Sequence, residues 1–337
     1  MFAYIVRRAV IGVALLIVMS LVTFILFFSG AFDPARNACG KVCSPAQIEQ
    51  TSKALGYDKP ILTQWGSFLA GIVVGRDYPL DKKVREENPD LVTHCAAPCL
   101  GYSMVNTDTV NNVLKSAIPI SVSIALVAFV FWIIGGLLFG IIAAMTKGSF
   151  LDRGIVGLSL IFYAFPTFVV GSLLLRFVAI KWQIFALPVY VPLTQSPGLW
   201  FTNLILPAVT LALFYMAAYA RMSRAFIIEA STEDYVRTAK AKGVKKVPLM
   251  FKHTLRAALT PLVTMAGLDL AILLGGAIIT EDVFGFHGLG LLAVTSNSRQ
   301  DLPTIVGIVL LLSTFVIIAN IVVDILYAYI DPRVRLD

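Results

Sequence analysis

The sequence predicts an all-α integral membrane protein with six transmembrane helices, and three observations carry that prediction. Of 337 residues, 58% are hydrophobic and 14% charged, against about 25% charged in a soluble domain, and mean hydropathy is +0.84. Six apolar stretches reach or approach the about 20 residues that a bilayer core requires. Lys and Arg concentrate on alternate loops, as in cytoplasmic loops near membrane spans. Such a composition excludes a disordered chain, a collagen-like fibre and a soluble enzyme.

The stretches are residues 9–30, 118–145, 155–177, 204–219, 262–279 and 305–329. Arg7 and Arg8 precede the first, whose run is too long and lacks the small-residue site of a cleavable signal, so it is expected to remain as a span. In the second, Gly135, Gly136 and Gly140 permit close helix approach. Pro166 is expected to kink the third. The fourth is short, with Pro207 near its start.

Lys147 and Arg153 lie between spans two and three, nine Lys/Arg between spans four and five, and Arg333 and Arg335 after span six. The other side is nearly balanced, with eight Lys/Arg against nine Asp/Glu in loop 31–112. Both termini are therefore expected in the cytoplasm, and the formal charge of +7 needs no nucleic acid to explain it. The chain divides into residues 1–30 (N-terminus and first span), 31–112 (outer loop) and 113–337 (a core with five spans and a cytoplasmic loop, 221–260).

All four cysteines, Cys39, Cys43, Cys95 and Cys99, fall in the outer loop. In an oxidising compartment they suit two disulfides, with three connectivities open; the rival is a zinc site of two Cys-x3-Cys pairs helped by His94. Residues 44–75 show helix-like spacing of Ile48, Leu55, Leu62, Trp65 and Leu69. Residues 77–107 lack a period and read as an irregular lobe held by the cysteines. Residues 181–203, with Trp182 and Trp200, suit a membrane interface.

The cytoplasmic loop is the most informative segment. Ser231 and Thr232 are expected to cap a helix, with Asp234 as capping-box partner. That helix runs Asp234, Tyr235, Val236, Arg237, Thr238, Ala239, Lys240, Ala241, Lys242 to Gly243, a residue suited to a left-handed helix end. Pro248 fits the first turn of a second helix, which passes His253 and Arg256 before Pro261 introduces span five. The sequence contains no phosphate-binding Gly-x4-Gly-Lys-Ser/Thr loop, no His-Glu-x-x-His and no Gly-x-Ser-x-Gly, and its three histidines are scattered.

Asp234 to Gly243, followed by His253-Thr-Leu-Arg-Ala-Ala-Leu-Thr-Pro261, resembles the cytoplasmic EAA loop of bacterial ABC-importer permeases in its dipeptide/oligopeptide/nickel branch. Arg237 stands where the general motif has its first Glu. Further similar segments are Tyr4 to Arg8, Phe32 to Ala35, Leu55 to Pro60, Tyr163 to Phe168, Leu274 to Ala277, Glu281 to Gly290, Arg299 to Pro303 and Asn320 to Arg333. Two departures are the length of the insertion bearing Cys95 and Cys99, and His287 in place of Pro.

The resemblance implies a type I ABC importer permease fold in the bacterial inner membrane. It implies a non-catalytic subunit for di- or oligopeptides, forming half of the translocation path. The implied partners are a second homologous permease in a heterodimer, two ABC ATPases that carry the ATP and Mg, an extracytoplasmic peptide-binding protein and membrane lipid. This chain would bind no cofactor or metal itself, and residues 234–243 would couple ATPase closure to the spans.

Ionisable residues within spans are functional candidates by default. Asp269 could meet a peptide amino terminus or a partner-subunit cation; with Pro166 it is the candidate for the translocation path. Asn320, Asp324 and Tyr327 share one helical face as a structural polar cluster, while Arg176 and Glu281 read as topological residues near the outer interface. Rival readings are nickel, opine or glutathione import within the family, and outside it an ATP-independent secondary transporter or channel, or a membrane enzyme. Secondary transporters often show internal repeats and paired broken helices, and neither is evident in the sequence.

Overall fold

The computed structural model describes residues 2–28, 34–39, 43–87 and 89–330, which form two compact units. One comprises residues 2–120 and 287–317, the other residues 121–286 with 318–330. Residues 29–30 of the first expected span, Phe32, Asp33, residues 331–333 and Arg335, cited above, lie outside the described residues.

In the first unit, α1 (Phe2–Phe28) is a 27-residue apolar helix, about 40 Å long at 1.5 Å per residue. After a short α2 (Pro34–Cys39), the helical reading of 44–75 resolves into α3 (Pro45–Leu55) and α4 (Ile61–Val74). Ser44 and Gln47 cap α3 reciprocally, and Gly56 (φ 72°) ends it in a left-handed turn. α1 packs on α4 through Phe24 against Phe68, with the Trp65 indole donating to the Ser20 hydroxyl at 2.9 Å. Val306 and Leu310 complete that core.

The lobe is more regular than expected. β1 (Arg76–Tyr78) pairs antiparallel with β2 (Thr93–Cys95), and β3 (Tyr102–Ser103) with β4 (Asp108–Thr109). The cysteines pair locally, Cys39 with Cys43 and Cys95 with Cys99. This selects one of the three connectivities and leaves no thiolate for zinc. Each bridge closes its own short loop rather than tying the lobe's halves together, so much of the lobe is held otherwise. Buried Asp301 accepts hydrogen bonds from Ser103, Asn106 and Thr304 at 2.6, 3.2 and 2.7 Å.

α5 (Val110–Met145), α8 (Pro197–Ala230), α10 (Lys246–Leu274) and α13 (Leu302–Ile330) supply the remaining single helices long and apolar enough to span a bilayer. The third expected span is a pair, α6 (Phe150–Ala164) and α7 (Thr167–Lys181), bent by 97°. Pro166 therefore does more than kink the helix. Proline disfavours helical backbone in the residue before it, and Phe165 is extended (φ −78°, ψ 130°), with Pro166 starting the next helix. With that pair as one span, the count among the described residues is six, and a second apolar pair bent by 93°, residues 278–284 with 289–298, would raise it to seven by length and composition. Two shorter helices, α11 (Ile278–Phe284) and α12 (Leu289–Ser298), follow α10.

The fourth span is longer than its apolar run suggested: α8 has 34 residues, with Pro207 buried inside it. Its polar last turns are helical because helix formation tolerates Arg and Glu, which hydropathy discounts. The expected basic second helix and span five are likewise one helix, α10, wider-turned over Leu249–Thr254 and uninterrupted at Pro261.

Candidate functional site

The candidate residues that belong to the second unit start with the cytoplasmic loop. α9 (Asp234–Ala241) buries Val236 and Ala239, one turn apart, and exposes the rest of its surface. Spacing of three residues places two side chains on one face, so those two anchor the helix while Asp234, Tyr235, Arg237, Thr238, Lys240 and Ala241 face outward. Gly243 holds φ +80°, with its N–H donating to the Lys240 carbonyl and that of Val244 to Ala239. The glycine end is as expected.

The start of α9 is not. Glu233 is the N-cap and has no side-chain cap bond. Ser231 and Thr232 instead donate their hydroxyls backward, to the Ile228 and Glu229 carbonyls at 2.6 and 2.7 Å, closing the end of α8. A hydroxyl can satisfy either the helix behind it or the one ahead, and the carbonyls at the end of α8 were within reach. Arg237 approaches Asp234 at 3.8 Å, an exposed contact. Desolvation, then Glu233, pushes the Tyr235 phenol above its ordinary value. Val247 and Phe251, also exposed, place apolar surface beside these basic residues.

Among the spans, Asp269 on α10 accepts from the Tyr219 hydroxyl of α8 at 2.6 Å. Tyr219 is held by glycine: a Cβ on Gly136 of α5 would stand 2.6 Å from the Tyr219 Cβ, and one on Gly140 would stand 2.4 Å from Ser223. Trp132, fully buried one turn away, stacks on Tyr215 with centroids 4.5 Å apart. At the α6–α7 break, Tyr163, Phe165 and Phe168 are exposed. Tyr163 nevertheless stacks on Phe214, and the Arg221 guanidinium lies 4.7 Å over its ring.

Asn320 and Asp324 lie one turn apart on α13, both half-buried; the Tyr327 side chain lies outside the described residues. Nearby, Val323 fills the space left by Gly267 of α10. Glu281 is fully buried and accepts from the Ser121 hydroxyl at 2.6 Å.

One pair was missed by the sequence reading. Asp152 of α6 receives a two-pronged contact from Arg224 of α8, Nε to Oδ1 at 2.6 Å and Nη2 to Oδ2 at 2.8 Å, and a third bond from the Gly148 N–H. This fork geometry fixes orientation as well as charge. The available signal was Ser149-x-x-Asp152, since Ser149 caps α6. Arg224 was obscured by being counted among loop cations. The assembled residues include no nucleophile–base pair, and their chemistry is that of anchoring and recognition.

Compared with known proteins, residues 136–336 match the family described as "Binding-protein-dependent transport system inner membrane component", and residues 1–125 match its N-terminal counterpart. A protein of Brucella abortus (strain 2308), provisionally named a peptide transport system permease protein, is 32% identical over 337 residues, the whole of both chains. The glutathione transport system permease protein GsiC of Escherichia coli O6:H1 is 32% identical over 335 residues, 99% of each chain. A solved structure of the MetNI methionine ABC transporter, in an inward-facing conformation, covers 66% of this chain and 97% of its own at a TM-score of 0.51 and 20% identity. That last likeness concerns the fold.

Proposed function

Because the chain belongs to the family of inner-membrane components of binding-protein-dependent transport systems, we propose that it is the permease subunit of an ATP-driven importer of di- and oligopeptides. It is a multi-pass membrane subunit without catalytic chemistry of its own, working with an ATPase and a substrate-binding protein. The peptide reading is carried by the likeness to the Brucella permease along the whole chain, outer lobe included.

The permease pairs with a second, homologous permease and stands over two ATPases that hold ATP and Mg, with both termini in the cytoplasm. The exposed face of α9 seats on the ATPase. Its anchors Val236 and Ala239 and the left-handed end at Gly243 support this, because a small helix pinned on one side can pass a push to the spans. ATP binding then biases a two-position equilibrium of the path rather than making or breaking any bond in this chain.

Asp269 and the break at Pro166 lie on the path. Backbone that leaves the helix at membrane depth is tolerated only against protein or a watery cavity. The exposed aromatics at that break fit a face turned to the second permease or to the cargo. A second reading, glutathione as cargo, is favoured by the likeness to GsiC.

The test is uptake by proteoliposomes holding both permeases and both ATPases. Labelled dipeptide is expected to accumulate only with ATP inside and binding protein outside. Uptake by the chain alone, driven by an ion gradient, overturns the importer reading, and accumulation of glutathione but not dipeptide selects the second.

A further inference from the structure

A cavity of about 60 Å3 lies within the first unit, bounded by α1, α4 and the lobe. Its walls are largely apolar and aromatic, among them Phe24, Phe68, Tyr57 and Tyr78, and they contain two cations, Arg76 and Lys59. None of the residues lining it is acidic. Asp301, in an adjoining recess, already accepts three hydrogen bonds on one oxygen.

Arg76 is built into this wall. Its guanidinium crosses Gly71, where a Cβ would collide with it, and sits 5.6 Å and 5.5 Å from the ring centroids of Phe68 and Tyr78. Its strand partner is Cys95, and the Cys95–Cys99 bridge holds the loop whose Cys99 carbonyl accepts from Nη2 at a long 3.5 Å. Nε is buried with no partner, and among the described residues no carboxylate pairs with this side chain. Desolvation pulls its pKa below the ordinary value, offset in part by Tyr78 and Tyr57. Aromatic faces compensate a cation partly. A partly buried cation is stabilised by an ionic partner, and here an open space stands where one would fit.

We propose that this cavity is a carboxylate-binding site, in which Arg76, helped by Lys59, holds the terminal carboxylate of a short peptide cargo. The assignment rests on the peptide-importer reading and gives the cysteine-bearing insertion a role, that of fixing the arginine. The volume admits a group about the size of a carboxylate with a small side chain, and the apolar walls exclude water from the ion pair, strengthening it.

Two measurements test it. In the reconstituted transporter, dialanine and its C-terminal amide are compared in wild type, Arg76→Lys and Arg76→Gln. The apparent KM for the acid is expected to rise about tenfold or more in Arg76→Gln, less in Arg76→Lys, with the amide unmoved. Equal changes for acid and amide reduce Arg76 to a packing role and overturn the proposal.

The second uses the detergent-solubilised permease–ATPase complex without binding protein and needs no transport, so it reads the site even if the importer reading fails. Dialanine, but not its amide, is expected to protect Arg76 from phenylglyoxal, followed by peptide mass mapping. No protection, or protection only once binding protein is added, overturns the proposal; the latter places the carboxylate on that protein.

Discussion

Gly136 and Gly140 were legible as packing residues from their spacing, but not their partners. The Tyr219 Cβ and backbone lie where the Gly136 Cβ would go, and neither can swing aside as the tip of a flexible side chain can. Gly136→Ala is expected to destabilise the protein by about 1–3 kcal/mol through overpacking and to disturb the Tyr219–Asp269 bond. Gly157→Ala, mid-helix in α6 where a Cβ meets nothing within 4 Å, is the control and is expected to leave stability unchanged or slightly raised, since alanine favours helix over glycine. Thermal aggregation midpoints in detergent read both, and equal midpoints for the two variants would remove the packing argument. The partners of Glu281, read only as a topological residue, and of Asp152, not singled out at all, were hidden for a related reason. The acidity of both residues was visible, but Ser121 and Arg224, distant along the chain, become neighbours only through folding.

At the scale of elements, the cytoplasmic loop was read with most success where backbone chemistry is local. Gly243 ends α9 because a left-handed residue is needed there, and glycine supplies it without a Cβ penalty. Proline fixes φ near −65° and removes the N–H that reaches Lys240. Gly243→Pro, and Arg237→Glu on the exposed face, are thus expected to leave membrane insertion intact while uncoupling ATP hydrolysis from uptake. Wild-type ratios of ATP hydrolysed to peptide transported in both variants would sink the coupling role. Val236→Asp should act more severely, since it removes one of the two residues anchoring α9. The capping assignment at Ser231 and Thr232 went astray because two helix ends competed for the same hydroxyls. The length of α8 was underestimated because hydropathy reads the lipid and not the helix.

For the molecule as a whole, the charge pattern is the ground for proposing that both termini lie in the cytoplasm, and reporter fusions test this directly. Green fluorescent protein joined to the C-terminus is expected to fluoresce and alkaline phosphatase there to stay inactive, with the reverse for an insertion near Asn106 in the outer lobe. An active C-terminal phosphatase would invert the topology and remove α9 from the ATPase side.

The sequence by itself determined the solvent, the rough places of the spans and the helix end at Gly243, because these depend on composition, period and the chemistry of single residues. The tertiary structure decided what no period encodes. It chose Cys39–Cys43 and Cys95–Cys99 from three connectivities, turned the kink at Pro166 into a break, and paired Asp152 with Arg224 and Asp269 with Tyr219. It also left Arg76 beside an open cavity without a carboxylate among the described residues. Side-chain pairing depends on which helices lie side by side, and that is settled by the close packing of whole helices, to which each residue contributes only a small part.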